Sequence, residues 1–408
     1  MPDIPSPTPS APPTTASAPG MMTALERRAS VSLASIYGLR MLGLFLVLPV
    51  FALEARYYPG GDDPALIGLA MGIYGLTQGV LQLPFGMASD RLGRKPVIVF
   101  GLLLFAAGSL LAFLADTLTE LVIGRSLQGA GAVSAAVTAL LADLTRNEVR
   151  TKAMALVGAS IGLVFALSLV AGPVLASHIG LAGIFAVTAA LALGGAAVVL
   201  WIVPPEPARQ ADQEPGRLRD VMRHGPTLRL NFTVFVLHAV LVAMWVAVPG
   251  LLVQAGLPKD HHWWVYLPAI TGSFLVMGTV LFPLERRGHL RPVFLAALGL
   301  LALVQGGLSL VAATTPSLAW LAVLLFLFFC GSNILEASQP SIASRSAPPN
   351  ARGAALGFYN TLMSFGFFAG GAVGGMLIKA WGPVGLFAAC GAALAMALLV
   401  ALPMQVSR

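Results

Sequence analysis

Twelve apolar runs constrain this chain more than any other feature of it. They fall at about 31–55, 65–88, 96–115, 119–142, 151–176 and 180–203, and again at 229–254, 263–284, 291–313, 317–342, 352–378 and 382–404. Each is close to the ~20 residues that an α-helix needs to cross a bilayer. A backbone inside hydrocarbon must satisfy its own polar groups, so runs of this kind are helices. The chain is 57% hydrophobic and only 10% charged, whereas soluble globular domains carry about 25% charged residues. The expectation is an all-α membrane protein with 12 transmembrane helices.

The interval 204–228 separates six runs from six and is rich in proline and mixed charge. It reads as a cytoplasmic central loop between an N-terminal six-helix bundle at 31–203 and a C-terminal one at 229–404. Residues 1–30 read as a disordered cytoplasmic tail and 405–408 as a short cytoplasmic end. The first 20 residues lack the basic start and contiguous apolar core of a cleaved signal, so the first helix is expected to serve as the insertion signal. Nineteen Lys and Arg fall on the side of the termini, against Arg56, Lys259 and Lys379 on the other. The positive-inside rule then places both termini in the cytoplasm. The net charge of +7 is dispersed over these loops, which argues against a nucleic-acid partner. Cys330 and Cys390 lie within apolar runs without metal-ligand spacing, so no metal and no cofactor is expected.

Between the second and third runs lies a short charged stretch, Gly86-Met87-Ala88-Ser89-Asp90-Arg91-Leu92-Gly93-Arg94-Lys95-Pro96. Gly93 is free to take a positive φ, and Pro96 suits a first helical turn, where its missing N–H has no partner to lose. Written G-x-x-x-D-R-x-G-R-K, the stretch resembles the cytoplasmic signature loop of the major facilitator superfamily of secondary transporters. Two internal echoes accompany it. Glu285-Arg286-Arg287-Gly288 repeats Asp90-Arg91-Leu92-Gly93, and Ala351-Arg352-Gly353-Ala354-Ala355 repeats Arg150-Thr151-Lys152-Ala153-Met154-Ala155. The resemblance implies two pseudo-symmetric six-helix bundles with a substrate site near the midplane between them.

Two arginines are not accounted for by any loop. Arg40 is about ten residues into the first run, and Arg125 lies inside the fourth. A charge at such depth costs about 2.5–3.5 kcal/mol on insertion scales, so each should meet a cavity or a partner, with snorkelling to the outer interface the alternative for Arg125. In the tenth run Asn333, Glu336 and Gln339 share one helical face and read as cavity lining. An ion pair between Glu336 and a nearby arginine, such as Arg345, is the alternative. His238 in the seventh run could titrate near neutral pH, or be a satisfied structural histidine. His261-His262-Trp263-Trp264 reads as an aromatic interfacial belt.

Arg125-x-x-Gln128-Gly129 resembles the superfamily's fourth-helix motif, whose arginine is implicated in proton coupling. Gly158, Gly162, Gly172 and Pro173 in the fifth run resemble, in part, the helix-packing motif of its antiporters. With Asp143, the run LRMLGLFLVLPV and the run NILEASQPS, the chain is similar to the YajR-like group of drug:proton antiporters. That resemblance implies a conformational charge relay of Asp90, Arg94 and Asp143, framed by Gly86, Arg91 and Gly93, which latches the halves through the start of the eleventh helix near Arg352. It further implies proton-coupled efflux of a small amphipathic or hydrophobic compound across a bacterial inner membrane, by a chain working as a monomer. A proton-coupled uptake symporter or a uniporter shares the same signature, and a non-transporting receptor or assembly factor could use the same scaffold. No phosphate loop, nucleophile elbow or metal spacing points to an enzyme.

Overall fold

A computed structural model describes residues 21–206, 221, 224–281, 283–284, 287–346 and 352–404, with side chains except at 147, 151, 344–346 and 352–353. The expected tail to residue 20, residues 207–220 of the central loop, the C-terminal end and the side chain of Arg352 lie outside the described residues. Every regular element among those described is helical. They are α1 (Ala24–Glu54), α2 (Pro64–Leu92), α3 (Arg94–Phe113), α4 (Leu118–Ala130), α5 (Ser134–Asp143) and α6 (Asn147–Trp201), followed by α7 (Gly225–Gln254), α8 (Trp263–Val276), α9 (Leu290–Ala313), α10 (Leu318–Ser346) and α11 (Arg352–Ala401).

The first helix starts at Ala24, so residues 24–30 belong to it and not to the expected tail. The cause is a capping box: Glu26 N donates to Thr23 Oγ1 at 3.2 Å and Thr23 N donates to the Glu26 carboxylate at 2.8 Å. Two of the N–H groups that a helix start leaves open are thereby satisfied. Arg146 then anchors this turn to the α5–α6 connection, with Nε 2.8 Å from Glu26 Oε1.

Nine helices among the described residues have the length and hydropathy to cross a membrane. Two of these are too long for a single crossing, since α6 has 55 residues and α11 has 50. At 1.5 Å per residue they would reach ~83 and ~75 Å, against a hydrocarbon core of ~30 Å. Both are interrupted at a glycine: Gly180 takes φ 66°, ψ −177° and Gly382 takes φ 65°, ψ −170°. Such a φ is open to glycine and strained for other residues. The same device at equivalent places in the two halves is the repeat made visible in backbone angles. Gly93 at φ 102° and Gly288 at φ 79° form a second matching pair.

The fourth apolar run, expected as one helix over 119–142, is instead α4 and α5 with a break at 131–133. The glycines beside the break lie against neighbouring backbones: a Cβ on Gly129 would stand 2.2 Å from Tyr74 O, and one on Gly131 would stand 2.3 Å from Gly101 O. Tertiary contact, not local sequence, sets this interruption.

The two halves meet at one end. A hydrophobic cluster joins Leu46–Ala55 of α1 and Ile67–Met71 of α2 to α7, α8, α9 and α10. The opposite end of α1, at Ala29, Leu33 and Ile36, belongs to a separate cluster confined to the N-terminal half. Helices α2 and α11 touch backbone to backbone at the shared end. A Cβ on Gly68 would lie 2.3 Å from Gly371 O, one on Gly72 2.6 Å from Phe368 O, and one on Gly375 2.4 Å from Pro64 O. Small residues at such spacing let membrane helices approach this closely. Two ion pairs also cross there, Lys259 Nζ to Glu54 Oε1 at 2.6 Å and Lys379 Nζ to Asp63 Oδ2 at 2.9 Å. The Lys379 ammonium holds the Asp63 carboxyl below the usual carboxylate range. Toward the other end the same helices separate: among the described residues a Cβ on Gly86 would meet only Ala135 of its own half, at 3.9 Å, and one on Gly357 of α11 would stand in open space. The molecule is closed at the end bearing Glu54 and Lys379, and open at the end bearing the charged loop.

Candidate functional site

At the open end, Gly93 supplies the turn that brings Arg94 back toward the last turn of α2. Its Nη1 meets the carboxylate of Asp90 and donates to Ser89 Oγ at 2.8 Å, and its Nε donates to Asp143 Oδ2 at 3.2 Å. One guanidinium thus ties α2, α3 and the end of α5. Arg91 is exposed. Sequence reasoning missed Glu206, whose carboxylate accepts from the backbone N–H of Arg94 at 3.0 Å and from that of Lys95. A carboxylate at a helix N-terminus satisfies orphan donors and complements the macrodipole. Lys95 Nζ adds a bond to Val203 O at 2.6 Å, so the start of the central loop is fastened to the charged turn. An acid immediately after the sixth apolar run was the available signal.

Inside the N-terminal half, Arg40 and Arg125 are each 2% exposed. Arg40 donates to Ser134 Oγ at 3.2 Å, Tyr74 Oη at 2.5 Å and Gln78 Oε1 at 3.3 Å. Arg125 donates to Gln128 Oε1 at 3.0 Å and Met71 O at 3.3 Å, and Gln128 donates in turn to Ser109 Oγ at 2.7 Å. Both guanidinium groups also lie against the Tyr74 ring, 5.9 and 5.3 Å from its centroid. Cation–π attraction of this sort gains strength away from water. The structure chooses among the alternatives: Arg40 meets partners and not open space, and Arg125 meets partners inside the half and not the surface. Carbonyls, amides, hydroxyls and the rings of Tyr74 and Phe105 supply the partners that loop acids could not reach.

The C-terminal half places its titratable pair differently. Glu336 has a side chain 48% exposed, and its Oε1 lies 3.9 Å from Nε2 of His238, which is 4% exposed. The histidine's Nδ1 is 2.7 Å from Val234 O, and its ring stands edge-on to Phe367. A carbonyl can only accept, so Nδ1 carries a proton and Nε2 presents its titratable position to Glu336. At 3.9 Å the two are too far apart for a direct hydrogen bond and near enough for the charge of one to act on the other. The other members of the expected polar stripe point elsewhere. Asn333 donates to Ser273 of α8 at 2.7 Å and Gln339 to Thr233 of α7 at 3.3 Å, so both bind helices together and only Glu336 reaches accessible space.

Above this pair, toward the closed end, aromatic rings from both halves form a chain. Phe45 of α1 is 5.0 Å from Phe165 of α6, which is 6.5 Å from Trp245 of α7 and 6.3 Å from Phe329 of α10. Trp245 follows His238 by seven residues and Phe329 precedes Glu336 by seven. Two helical turns, ~10 Å, therefore separate the rings from the titratable pair on the same helix faces. Among the glycines of the fifth run, Gly172 packs against α1, where a Cβ would lie 2.6 Å from Leu46 O. A Cβ on Gly162 would meet Phe274 of α8 at 3.7 Å, while one on Gly158 would face open space among the described residues.

The sequence profile of the Major Facilitator Superfamily matches residues 33–371. Inner membrane transport protein YajR of Escherichia coli (strain K12) is 41% identical over 373 residues, covering 90% of this chain and 81% of that protein. Multidrug resistance protein MdtH of Aeromonas salmonicida (strain A449) is 28% identical over 349 residues, covering 83% and 84%. Among solved structures, nucleoside transporter NupG matches with a TM-score of 0.74 at 14% identity, covering 93% of this chain and 99% of that one, a likeness of fold alone.

Proposed function

The chain belongs to the major facilitator superfamily, and from that premise we propose that it is a proton-coupled exporter of small amphipathic or hydrophobic compounds, working as a monomer by alternating access. The single observation that carries the coupling is the His238–Glu336 pair: one accessible carboxylate and one buried imidazole positioned to share a proton, in a half otherwise poor in buried charge. The aromatic chain two turns above supplies an apolar, ring-lined surface contributed by both halves. An amphipathic molecule would place its apolar body there and its polar end near Glu336. The multidrug resistance name of one relative agrees with export.

In this reading the open end is cytoplasmic and the structure is the inward-facing state of a twelve-span carrier in a bacterial inner membrane. The span count takes α4 and α5 together as one crossing and divides α6 and α11 at Gly180 and Gly382. Pro215→Cys in the central loop is expected to label only from the cytoplasmic side; both native cysteines are buried, so the background is low. Labelling from outside would reverse the orientation.

The relay of Asp90, Arg94 and Asp143 is proposed to act on the state equilibrium and not on substrate, with the start of α11 near Arg352 as its receptor in the outward-facing state. Its ion pairs are partly exposed, and such pairs contribute about 0–1 kcal/mol each. Arg94→Ala should therefore leave thermal stability nearly unchanged while lowering transport and shifting the population toward the inward-facing state. Unchanged transport, with unchanged distances between labels on the outer ends of α1 and α7, would remove the relay from the mechanism.

The decisive test of the function is accumulation of a panel of lipophilic amines and dyes by inverted membrane vesicles under an imposed pH gradient. Gradient-dependent accumulation inside the vesicles supports export. Accumulation only in right-side-out vesicles would favour the uptake reading, and none in either, across the panel, would favour a non-transporting role.

A further inference from the structure

In the C-terminal half, apart from the site above, a groove of about 540 Å³ runs between the segment after α8, α9 and α10. Val280 and Leu284 after α8, Pro292, Ala296 and Leu300 of α9, and Ile334 of α10 line it. The volume is in the range of built ligand sites, about 300–1,000 Å³. The backbone just after α8 takes a π-helical turn at Met277–Leu281, and Val280 of that turn lines the groove.

The mouth of this groove differs from the rest of its wall. His289 lines it, and Arg287 and Arg291 flank that histidine in the chain. All three are exposed, and among the described residues no carboxylate lies within ion-pair distance of either arginine. Arg291 spends one Nη2 hydrogen on Leu402 O at 2.6 Å and keeps its other donors. The equivalent loop of the N-terminal half is the contrast: there Arg94 is held by Asp90 and Asp143, and Glu206 covers the helix start. Among the described residues, repeat-related turns thus carry similar cations, with Arg94 paired to carboxylates in one half and Arg287 and Arg291 without a carboxylate partner beside an apolar groove in the other.

We propose that this groove is a binding site for an anionic phospholipid of the cytoplasmic leaflet, one acyl chain lying along Ala296 and Leu300 and the phosphate meeting Arg287, His289 and Arg291. The leaflet assignment rests on the orientation proposed above; the site itself does not. The groove's inner wall gives the bound chain a consequence for transport. Ile334 is adjacent to Asn333, whose amide fixes α10 to Ser273 of α8, and it lies two residues from Glu336. An acyl chain wedged against Ile334 braces the helix that carries the proton-binding candidate.

The purified full-length chain, reconstituted in nanodiscs of equal parts phosphatidylglycerol and phosphatidylcholine with matched acyl chains, would be released into the gas phase and its retained lipids identified by native mass spectrometry. Wild type should retain phosphatidylglycerol in preference. Arg287→Gln and Arg291→Gln should each weaken that preference about fivefold, the scale of one basic residue at an anionic membrane surface. Ala296→Trp, which fills the groove without altering charge, should lower retention of the bound lipid. Arg27→Gln, at an exposed cation of the first helix, should change nothing. Equal retention of both lipids by wild type, an equal effect of Arg27→Gln, or full retention by Ala296→Trp would each overturn the site and leave only general attraction to a charged surface. The readout needs no transport, so failure here is separable from failure of the export reading, which the vesicle assay tests, and of the orientation, which labelling at position 215 tests.

Discussion

Gly371→Leu is expected to lower transport at least tenfold while the protein still folds and inserts. A Cβ at this position would stand 2.5 Å from Gly72 N and 2.6 Å from Gly68 O, so the obstruction is backbone and cannot swing aside as a side chain would. Overpacking of this kind costs about 1–3 kcal/mol, and about 1.4 kcal/mol already shifts an equilibrium tenfold. In the alternating-access reading proposed above the cost falls on one state only, because α2 and α11 touch here in the closed state and would part when this end opens. The variant should therefore populate the outward-facing state, and a cysteine at Gln254, beside the outer cavity, should label faster from outside than in wild type. Even Gly371→Ala should show the effect in weaker form. Normal transport and unchanged labelling would mean that this contact is not formed during the cycle.

The ion pairs at the same end act more gently. Lys379–Asp63 joins the halves where both partners are well exposed, and a pair in that setting contributes at most about 1 kcal/mol; in Lys259–Glu54 the carboxylate is buried and the lysine partly exposed. They favour the closed state without locking it, as a carrier that must reopen requires. Nothing in the sequence alone links Asp63 to Lys379, 316 residues apart.

Features with a local physical cause were legible in the sequence. Apolar length gave the helices, and the need for a positive φ explained Gly93. Features whose cause is tertiary were not. The break at 131–133 comes from Gly129 and Gly131 resting on Tyr74 and Gly101, and an apolar run carries no mark of such a contact. The spacing Gly68, Gly72, Gly75, Gly79 was a readable small-residue stripe, yet α11 as its partner follows only from the assembled halves. Arg40 and Arg125 were read correctly as needing partners, but the partners are Tyr74, Gln78, Gln128 and main-chain carbonyls, which look ordinary in sequence. Asn333 and Gln339 share a face with Glu336 by periodicity, and neighbouring helices pull their amides inward all the same.

Glu336→Gln should abolish accumulation driven by the pH gradient while leaving exchange of substrate down its own gradient measurable. The amide keeps the shape and most of the hydrogen-bonding capacity of the acid but cannot take up or release a proton. His238 distinguishes a shared proton from a lone carboxyl. With Nδ1–H committed to Val234 O, the imidazole can hold its second proton only at Nε2, the atom facing Glu336. His238→Asn would remove that position and leave Glu336 alone with the aromatic chain and open space. If the pair works as a unit, this change should move the pH dependence of transport, with uncoupled exchange intact. The two effects are not expected to add: in the double variant, coupling should be lost to the same extent as in Glu336→Gln alone, as befits two residues sharing one function. Retention of gradient-driven accumulation by Glu336→Gln, with the wild-type pH dependence, would make the pair structural and move the search for the proton carrier to the substrate itself or to Glu54 at the outer end.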